Sequence, residues 1–345
     1  MTVDPYIPVP PVGYGGIERV VDMLVRAFIQ RGHDLTLLAH PDSRTPARLI
    51  PYGTPPHVGA IPRATELAHA AAAIWRHRRA DVIHSFGRLA ALVPVLPLRD
   101  VIKVQSYQRE SIPWPSVARA MALAGPSLAF TGLSSGMYGG KPFDGVGRWT
   151  TVPNGVETSR YTFQASVQPD APLMFLGRIE AIKGTHHAIA IAKGARRQLI
   201  IAGNRPPDAE HARYFEQQIA PHIDGSQVTY IGEVDDRQKD AWLGRSAALL
   251  MPIDWEEPFG IVMTEALACG TPVIAFRRGS VPDVIRDGVN GFSCATVAEA
   301  IEAVRRIPEI DRATVRADCE ARYDVHELVA QYERVYDETR KAAGR

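Results

Sequence analysis

Short apolar segments alternate with longer amphipathic ones along the whole chain. The short segments are rich in Val, Ile, Leu, Phe and Ala, and they predict strands at 35–39, 82–84, 101–104, 128–131, 173–176, 199–202, 228–231, 248–251 and 273–276. Because most positions in each segment are apolar, both faces of these strands are expected to be buried, as in a parallel sheet covered by helices. The pattern occurs in both halves of the chain, so we expect two layered α/β domains.

Apolar residues recur at helical spacing between the predicted strands. Residues 20–28 predict a helix that ends before Gly32, and residues 325–341 predict a last amphipathic helix. A polar stretch with two prolines, 158–172, follows the turn at 152–155 and predicts the domain boundary. The expected division is therefore 1–160, 161–325 and a terminal helix at 326–345.

The first glycine-rich segment, 10–16, lacks the strand that a doubly wound sheet places before such a loop. The residues ahead of it are interrupted by prolines, which make a poor central strand. We therefore expect either that the first domain lacks this strand or that the chain starts late within it.

Composition narrows the class of protein. The chain has 345 residues, of which 46% are hydrophobic and 22% charged, and its formal net charge is +1. Such a profile is typical of soluble globular proteins, and it argues against a dedicated nucleic-acid binder, which would carry a basic excess. No signal peptide or membrane span is expected, and three cysteines outside any CxxC spacing favour a reducing compartment. The expected location is the cytoplasm.

The most informative motif is the segment 256–270, which leads from a predicted strand into a helix. Glu257 and Glu265 stand eight residues apart and can project into the crevice beyond the carboxyl ends of the strands, where open α/β sheets bind ligands. A carboxylate there can accept hydrogen bonds from vicinal sugar hydroxyls, and the helix N-terminus can bind phosphate. Glu265 could instead pair with a surface cation, but its helix is so apolar that it is expected to be buried with a partner.

Two further loops offer sites for an anion. Arg178 and Lys183 lie five residues apart between a strand and a helix, where they can converge on a diphosphate or form an ordinary solvated loop. The loop at 13–16 is similar to a dinucleotide fingerprint, but Glu18 stands where that motif needs glycine, which argues against a nicotinamide cofactor. It remains either a tight turn or a close backbone approach to an anion.

Several motifs are absent from the sequence. It contains no Asp-x-Asp pair, no GxxxxGK[ST] and no HExxH. The adjacent His186 and His187 have no carboxylate at metal-ligand spacing. We therefore expect no metal site and no bound cofactor.

Together these motifs resemble those of the family 4 glycosyltransferases, retaining enzymes of the GT-B fold. The matching segments are 15–18, 81–84, 152–156, 177–184, 257–265 and 322–336. The resemblance implies two Rossmann-like, doubly wound parallel-sheet domains facing one another across a cleft, with 326–345 as a crossover helix. It also implies metal-independent transfer of a sugar from a nucleotide-diphosphate sugar.

The resemblance assigns roles to particular residues. Arg178 and Lys183 would hold the donor diphosphate and neutralise it as it leaves, Glu257 would lie beside the donor sugar, and Glu265 would bind the ribose. Of these, Arg178, Lys183 and Glu257 would be catalytic. The implied donor-binding set is Gly15, Gly16, Arg178, Lys183, Glu257, Phe259, Gly260 and Glu265.

One departure keeps alternatives open. Many family members carry a His after the strand that corresponds to 101–104, whereas this chain has none there, so Ser106, Tyr107 or His84 would make the sugar contact, or it is lost. The alternatives are a degenerate GT-B protein that binds a nucleotide sugar without turnover, and a GT-B phosphorylase or epimerase. The acceptor is a polysaccharide, a lipid-linked sugar or a small molecule, selected by loops at 110–114 and 138–149, and peripheral membrane contact is compatible with it.

Overall fold

The structure is a computed structural model that describes residues 1–12, 15–52, 60–109, 111–138 and 148–345. Gly13 of the first glycine-rich loop therefore lies outside the described residues. The same is true of Glu110 and residues 139–147, which belong to the two loops that we expect to select the acceptor.

The chain divides into two compact units. The first comprises Met1–Asn154 together with Val325–Arg345, and the second comprises Gly155–Asp324. The division falls a few residues before the boundary that the sequence suggests, because the segment after Asn154 is bonded to the end of the second unit. The Val156 N–H donates to the Tyr323 carbonyl at 2.9 Å, and the Thr158 N–H donates to the Asp324 carboxylate at 3.2 Å.

The first unit alternates strands and helices. In chain order its elements are α1 (Gly16–Gln30), β1 (Thr36–Ala39), β2 (Arg48–Pro51), α2 (Ala60–Arg76), β3 (Val82–Ser85), β4 (Ile102–Ser106), α3 (Trp114–Ala124), β5 (Leu128–Gly132) and β6 (Arg148–Thr151). Strands β1 and β2 pair in parallel, and β3, β4, β5 and β6 form a parallel run in that order.

Thr2 joins these two groups of strands. It forms parallel bridges to Leu38 on one side and to Ser85 on the other. Its N–H donates to the His84 carbonyl at 2.9 Å, and its carbonyl accepts from the Phe86 N–H at 2.8 Å. The position of the expected first strand is therefore occupied by a single bridging residue, and the resulting order β2-β1-Thr2-β3-β4-β5-β6 is that of a doubly wound sheet.

The second unit repeats this plan with a complete sheet. Its elements are β7 (Leu173–Leu176), α4 (Thr185–Gly194), β8 (Leu199–Ala202), α5 (Ala209–Tyr214), β9 (Val228–Tyr230), α6 (Asp236–Arg245), β10 (Ala248–Met251), α7 (Ile261–Ala268), β11 (Val273–Phe276), α8 (Val281–Val284), β12 (Gly291–Cys294), α9 (Val297–Arg306) and α10 (Arg312–Tyr323). All strands are parallel, in the order β12-β11-β10-β7-β8-β9. The first and fourth strands of the unit, β7 and β10, are therefore neighbours, and the connections leave this pair in opposite directions.

The last helix, α11 (Val325–Ala342), belongs to the first unit. It packs against α1, where Glu333 accepts hydrogen bonds from Arg31 at 2.6 and 3.0 Å. No helix among the described residues is long and apolar enough to cross a membrane.

Candidate active site

The loops that carry the predicted donor residues begin at the switch point of the second sheet. Residues 177–184 follow β7 and residues 252–260 follow β10, and these two strands are adjacent. The backbone N–H of Asp254 donates to the carbonyl of Ile182 at 2.8 Å and joins the two loops. In open α/β sheets, ligands bind in the crevice beyond the carboxyl ends of the strands at such a point.

Gly184 brings the two loops into backbone contact. Its φ is +74°, a left-handed value, and a Cβ added there would lie 1.8 Å from the carbonyl oxygen of Pro252. Only glycine fits both the dihedral angle and the space. This contact fixes the position of Lys183, the preceding residue, relative to the loop after β10.

Lys183 and Glu257 form an ion pair in this crevice. The Lys183 ammonium lies 2.6 Å from Oε2 of Glu257, and both side chains are largely buried, with 19% and 14% of their surfaces exposed. The indole N–H of Trp255 donates to the same oxygen at 3.0 Å, and the ammonium lies 4.5 Å from the centre of the Trp255 ring. Trp255 was not predictable from the sequence, because only its proximity in space to Lys183 indicates that it belongs to this site.

Arg178 is paired with a different carboxylate. Its guanidinium lies 2.7 Å from Oε1 of Glu180, whose side chain is buried. In this structure the two cations of the loop are therefore each held by a separate acidic residue. The convergence of Arg178 and Lys183 on one anion stays a prediction.

Glu265 lies in α7 and is buried, as its apolar helix predicted, with 8% of the residue exposed. Its Oε1 accepts a hydrogen bond from the Tyr161 hydroxyl at 2.9 Å and lies 2.5 Å from the Lys239 ammonium. Burial and the negative charge of Glu265 raise the pKa of Tyr161, so the phenol stays protonated and donates. Burial by itself lowers the pKa of Lys239, but the negative charges of Glu265 and Asp236 raise it above the ordinary value.

These partners of Glu265 were not predictable from spacing. Tyr161 is 104 residues away and Lys239 is 26 residues away along the chain. A charged residue on an apolar helix indicated that a partner exists, but not which residue supplies it.

Phe259 and Gly260 shape the start of α7. Phe259 is 2% exposed and packs against the Tyr323 ring at 5.9 Å, and its carbonyl accepts a hydrogen bond from the Ser280 hydroxyl at 2.6 Å. Gly260 precedes the helix with a left-handed φ of +75°. The buried Phe259 and the left-handed backbone of Gly260 thus position the loop of Glu257, while the donor-binding role of both residues stays a prediction.

In the first unit, Gly15 and Gly16 mark the start of α1. A Cβ on Gly15 would lie 2.6 Å from the Cβ of Pro11, so the loop can pass close to the helix only with glycine at this point. Gly16 is the first residue of the helix. The local structure agrees with a tight turn that needs glycine, and contact of these glycines with the donor stays a prediction.

His84 and Ser106 belong to a buried hydrogen-bonded chain. His84 Nδ1 lies 2.7 Å from the Tyr336 hydroxyl, its Nε2 lies 2.7 Å from Ser106 Oγ, and Ser106 Oγ lies 2.6 Å from Thr131 Oγ1. Burial holds the pKa of His84 well below its ordinary value, so its imidazole is neutral. Both ring nitrogens are thus used to join α11 to the sheet.

Tyr107, the third residue proposed to contact the sugar, stacks in a cluster of aromatic rings. Its ring lies 6.2 Å from that of Phe130 and 5.7 Å from that of Trp149. The sugar contact of Ser106, Tyr107 or His84 stays a prediction. A contact by Ser106 or His84 requires that residue to exchange its present partners.

Comparison with known proteins agrees with this architecture. The family model Glycosyltransferase Family 4 matches residues 14–108, and the model Glycosyl transferases group 1 matches residues 163–318. Glycogen synthase from Mycobacterium tuberculosis (strain ATCC 25618 / H37Rv) is 28% identical over 355 aligned positions, which cover 86% of this chain and 83% of that protein.

Two solved structures show the same fold. AviGT4, a glycosyltransferase involved in avilamycin A biosynthesis, has a TM-score of 0.69 at 24% identity, covering 99% of this chain and 94% of its own. HepE from Anabaena, in complex with UDP and glucose, has a TM-score of 0.70 at 17% identity, covering 97% and 98%. The predicted GT-B fold is confirmed. Since one family model falls in each unit and the order is the one that the sequence motifs indicated, the chain belongs to the family 4 glycosyltransferases.

Proposed function

We propose that this glycosyltransferase moves a sugar from a nucleoside diphosphate sugar to an acceptor in the cytoplasm, with retention of anomeric configuration and without a divalent metal in the transfer step. The observation that carries the proposal is the contact of Lys183 with Glu257, at 2.6 Å, at the switch point of the second sheet. A cation there can bind the diphosphate of the donor, and a carboxylate beside it can bind the donor sugar.

The cation supplies the electrostatic part of the chemistry. Breaking the bond between the sugar and the diphosphate leaves negative charge on the departing phosphate oxygen. A positive group that already stands at this place stabilises the transition state more than the ground state. Lys183 is held by the Gly184 backbone contact and by Glu257, so its ammonium needs little reorganisation before it takes up a phosphate.

The carboxylate of Glu265 supplies recognition of the nucleoside. Lys239 and Tyr161 hold Oε1, and among the residues that the structure describes Oε2 has no hydrogen-bond partner. A carboxylate oxygen of this kind can accept from the two adjacent hydroxyls of a ribose. The HepE structure of the same fold was solved with UDP and glucose, which supports a nucleotide sugar as the ligand of this chain.

The alternative is a protein that binds a nucleotide sugar without turnover. It is favoured by the sequence 105–107, which lacks the His of many relatives, and by the bonding of His84 and Ser106 to protein groups. The acceptor is taken to be a polysaccharide, a lipid-linked sugar or a small molecule.

The test is a thermal-shift titration of the full chain with UDP, GDP, ADP and dTDP in the presence of EDTA, followed by an assay of sugar release from the matching donors. A nucleotide at 100 times its dissociation constant stabilises the protein by about 2.7 kcal/mol. We expect one diphosphate to give a clear shift and its sugar derivative to turn over. A shift without turnover on any donor or acceptor extract would favour the binding protein, and no shift with any nucleotide would overturn the proposal.

A matched pair of variants makes the test specific to the site. Glu265→Gln removes the ribose acceptor and should reduce the shift, whereas Glu302→Gln changes an exposed glutamate on α9 that pairs with Arg305 and should leave the shift unchanged.

A further inference from the structure

Two adjacent histidines at the start of α4 face one carboxylate from the loop after β10. His187 Nε2 lies 2.8 Å from Asp254 Oδ2, and His186 Nε2 lies 3.9 Å from the same oxygen. One potential ligand atom from each residue lies within 4.8 Å of the others, and within the described ranges no other group of His, Cys, Asp and Glu side chains meets this condition. The sequence predicted no metal site because Asp254 is 67 residues from His187 along the chain, and the fold brings the two together.

Asp254 is fixed from both its backbone and its side chain. Its N–H donates to the Ile182 carbonyl at 2.8 Å, and its Oδ1 lies 3.2 Å from the guanidinium of Arg278. The other oxygen, Oδ2, is thereby directed to the two imidazoles. A carboxylate with one oxygen held and one presented is a typical metal ligand, because its partners orient it.

Each histidine ring has a further contact besides Asp254. His186 Nδ1 lies 2.8 Å from the Tyr214 hydroxyl, which also accepts from the His186 backbone N–H at 3.2 Å. The His187 ring packs against Phe276 at 5.3 Å, and the two imidazoles lie 4.0 Å apart. Metal-binding histidines characteristically engage their second nitrogen in this way, which fixes the ring orientation.

Metal ions bind imidazole in its neutral form, in which these three ligands together carry one negative charge. The nearby Arg278 guanidinium is paired with Asp254 Oδ1, and its side chain is 42% exposed, so solvent weakens its repulsion of a cation.

We propose that His186, His187 and Asp254 bind a Zn²⁺ ion through His186 Nε2, His187 Nε2 and Asp254 Oδ2. Two imidazoles and a carboxylate are a ligand set that Zn²⁺ takes, with a fourth position left for water or an anion. Bond lengths of about 2.0–2.2 Å place tetrahedral ligands about 3.4 Å apart, so His186 moves slightly closer to Asp254 and His187 slightly away. Small rotations of the side chains suffice for both.

The site is separate from the proposed transfer chemistry, which needs no metal. It ties the first turn of α4 to the loop after β10, next to Lys183 in one loop and Trp255 in the other. A bound ion would therefore hold together the two loops of the donor site without touching the reacting atoms.

The test is calorimetric titration of ZnCl₂ into the full chain after treatment with chelator, together with the visible absorption spectrum of the Co²⁺-substituted protein. We expect one Zn²⁺ per chain and a Co²⁺ spectrum of four-coordinate nitrogen and oxygen ligands. His187→Gln and Asp254→Asn should each weaken Zn²⁺ binding by more than about 100-fold, since loss of a group that merely orients a ligand already costs about 10–100-fold.

His211→Gln is the matched control. His211 also lies close to two carboxylates, with Nδ1 2.6 Å from Asp208 and Nε2 3.7 Å from Glu180. Because these contacts are made by opposite ring nitrogens, the three side chains cannot bind one ion together. This variant should bind Zn²⁺ as the parent does. Circular dichroism of the metal-free variants establishes that they fold.

Any of three results would overturn the site. The parent protein does not bind one Zn²⁺ per chain, its Co²⁺ form lacks the four-coordinate absorption spectrum, or the affinity for Zn²⁺ is unchanged in both His187→Gln and Asp254→Asn. If either of these variants does not fold, His186→Gln takes its place. The nucleotide titration in EDTA is a separate measurement, so this proposal and the transfer proposal can fail independently.

Discussion

The Lys183 ammonium and the Glu257 carboxylate lie 2.6 Å apart, although 74 residues separate them in the chain. They meet because β7 and β10 are neighbours in the sheet and because Gly184 lets the two loops touch at the Pro252 carbonyl. The orientation of the ammonium depends on Glu257 and on the Trp255 ring.

Replacing Lys183 by Met should lower kcat by about 10²–10³-fold, the usual cost of removing one preorganised group that stabilises transition-state charge. Initial rates of sugar release from the donor measure this effect. Lys193→Met is the control, because Lys193 lies at the exposed end of α4 and should leave kcat unchanged. Equal rates in Lys183→Met and the parent enzyme would remove Lys183 from the mechanism.

Tyr161→Phe and Lys239→Met should each weaken binding of the nucleoside diphosphate by about tenfold, equivalent to 1.4 kcal/mol, because Glu265 loses a group that holds its Oε1. The ribose role predicts a second result. Titration with the 2′-deoxy form of the same nucleotide should show a smaller effect of these substitutions than titration with the ribose form. Identical losses for both forms would show that Glu265 does not contact the 2′-hydroxyl.

Arg312→Met should destabilise the second unit by several kcal/mol, at about 1–3 kcal/mol for each buried acceptor that loses its donor. Arg312 is 7% exposed, and its guanidinium donates to the carbonyls of Gln164, Gly244 and Ser246 at 2.7, 2.9 and 3.0 Å. The substitution leaves those carbonyls without their donors. Urea denaturation followed by circular dichroism measures the change.

The comparison for this experiment is Arg305→Met, which removes an exposed arginine whose side chain is 61% accessible. Its effect should lie within about 0.5 kcal/mol. A similar small effect for Arg312→Met would mean that the buried carbonyls find other donors.

The pH dependence of stability should reveal Lys103. This buried residue of β4 donates to the Leu98 carbonyl and to Ser127 Oγ, both at 2.6 Å, and burial lowers its pKa to about 8. Between that value and the pKa of about 10.4 in the unfolded chain, the unfolded state binds more protons than the folded one. The free energy of unfolding attributable to Lys103 therefore rises with pH in this window, by at most about 1.4 kcal/mol per pH unit.

Urea denaturation of the parent protein and of Lys103→Met at pH 7.5 and pH 10 tests this sign. The parent should gain stability relative to the variant at the higher pH. A constant difference between the two proteins would contradict the lowered pKa.

None of the three cysteines should react with a thiol reagent in the native protein. Cys269, Cys294 and Cys319 are all buried and unpaired. Burial raises the pKa of Cys294 to about 11 and that of Cys319 to about 12, so the reactive thiolate is scarce at neutral pH. Titration with a thiol reagent should detect no fast-reacting group before denaturation and three groups after it, and rapid labelling of the folded chain would contradict the burial.

Nine strands were predicted from apolar segments, and each is present in the structure within a residue or two of its predicted ends. The strands that were missed, β2, β6 and β12, all lie at sheet edges. Edge positions bury less side-chain surface, so Arg48–Pro51 and Arg148–Thr151 keep exposed polar residues and show no continuous apolar pattern. The position of the expected first strand is occupied by Thr2, which backbone hydrogen bonds alone place between β1 and β3. No apolar segment in the sequence marks this position.

The sequence by itself determined the fold class, the family and the loops in which the proposed donor residues lie, because apolar periodicity and glycine spacing are local properties of the chain. Only the tertiary structure decided the partners: Trp255 with Lys183, Tyr161 and Lys239 with Glu265, and Asp254 with His187. Each of these contacts joins residues from different connections of the same parallel sheet. Since strand order, and not distance along the chain, sets which loops are neighbours, such pairs become visible only once the sheet is assembled.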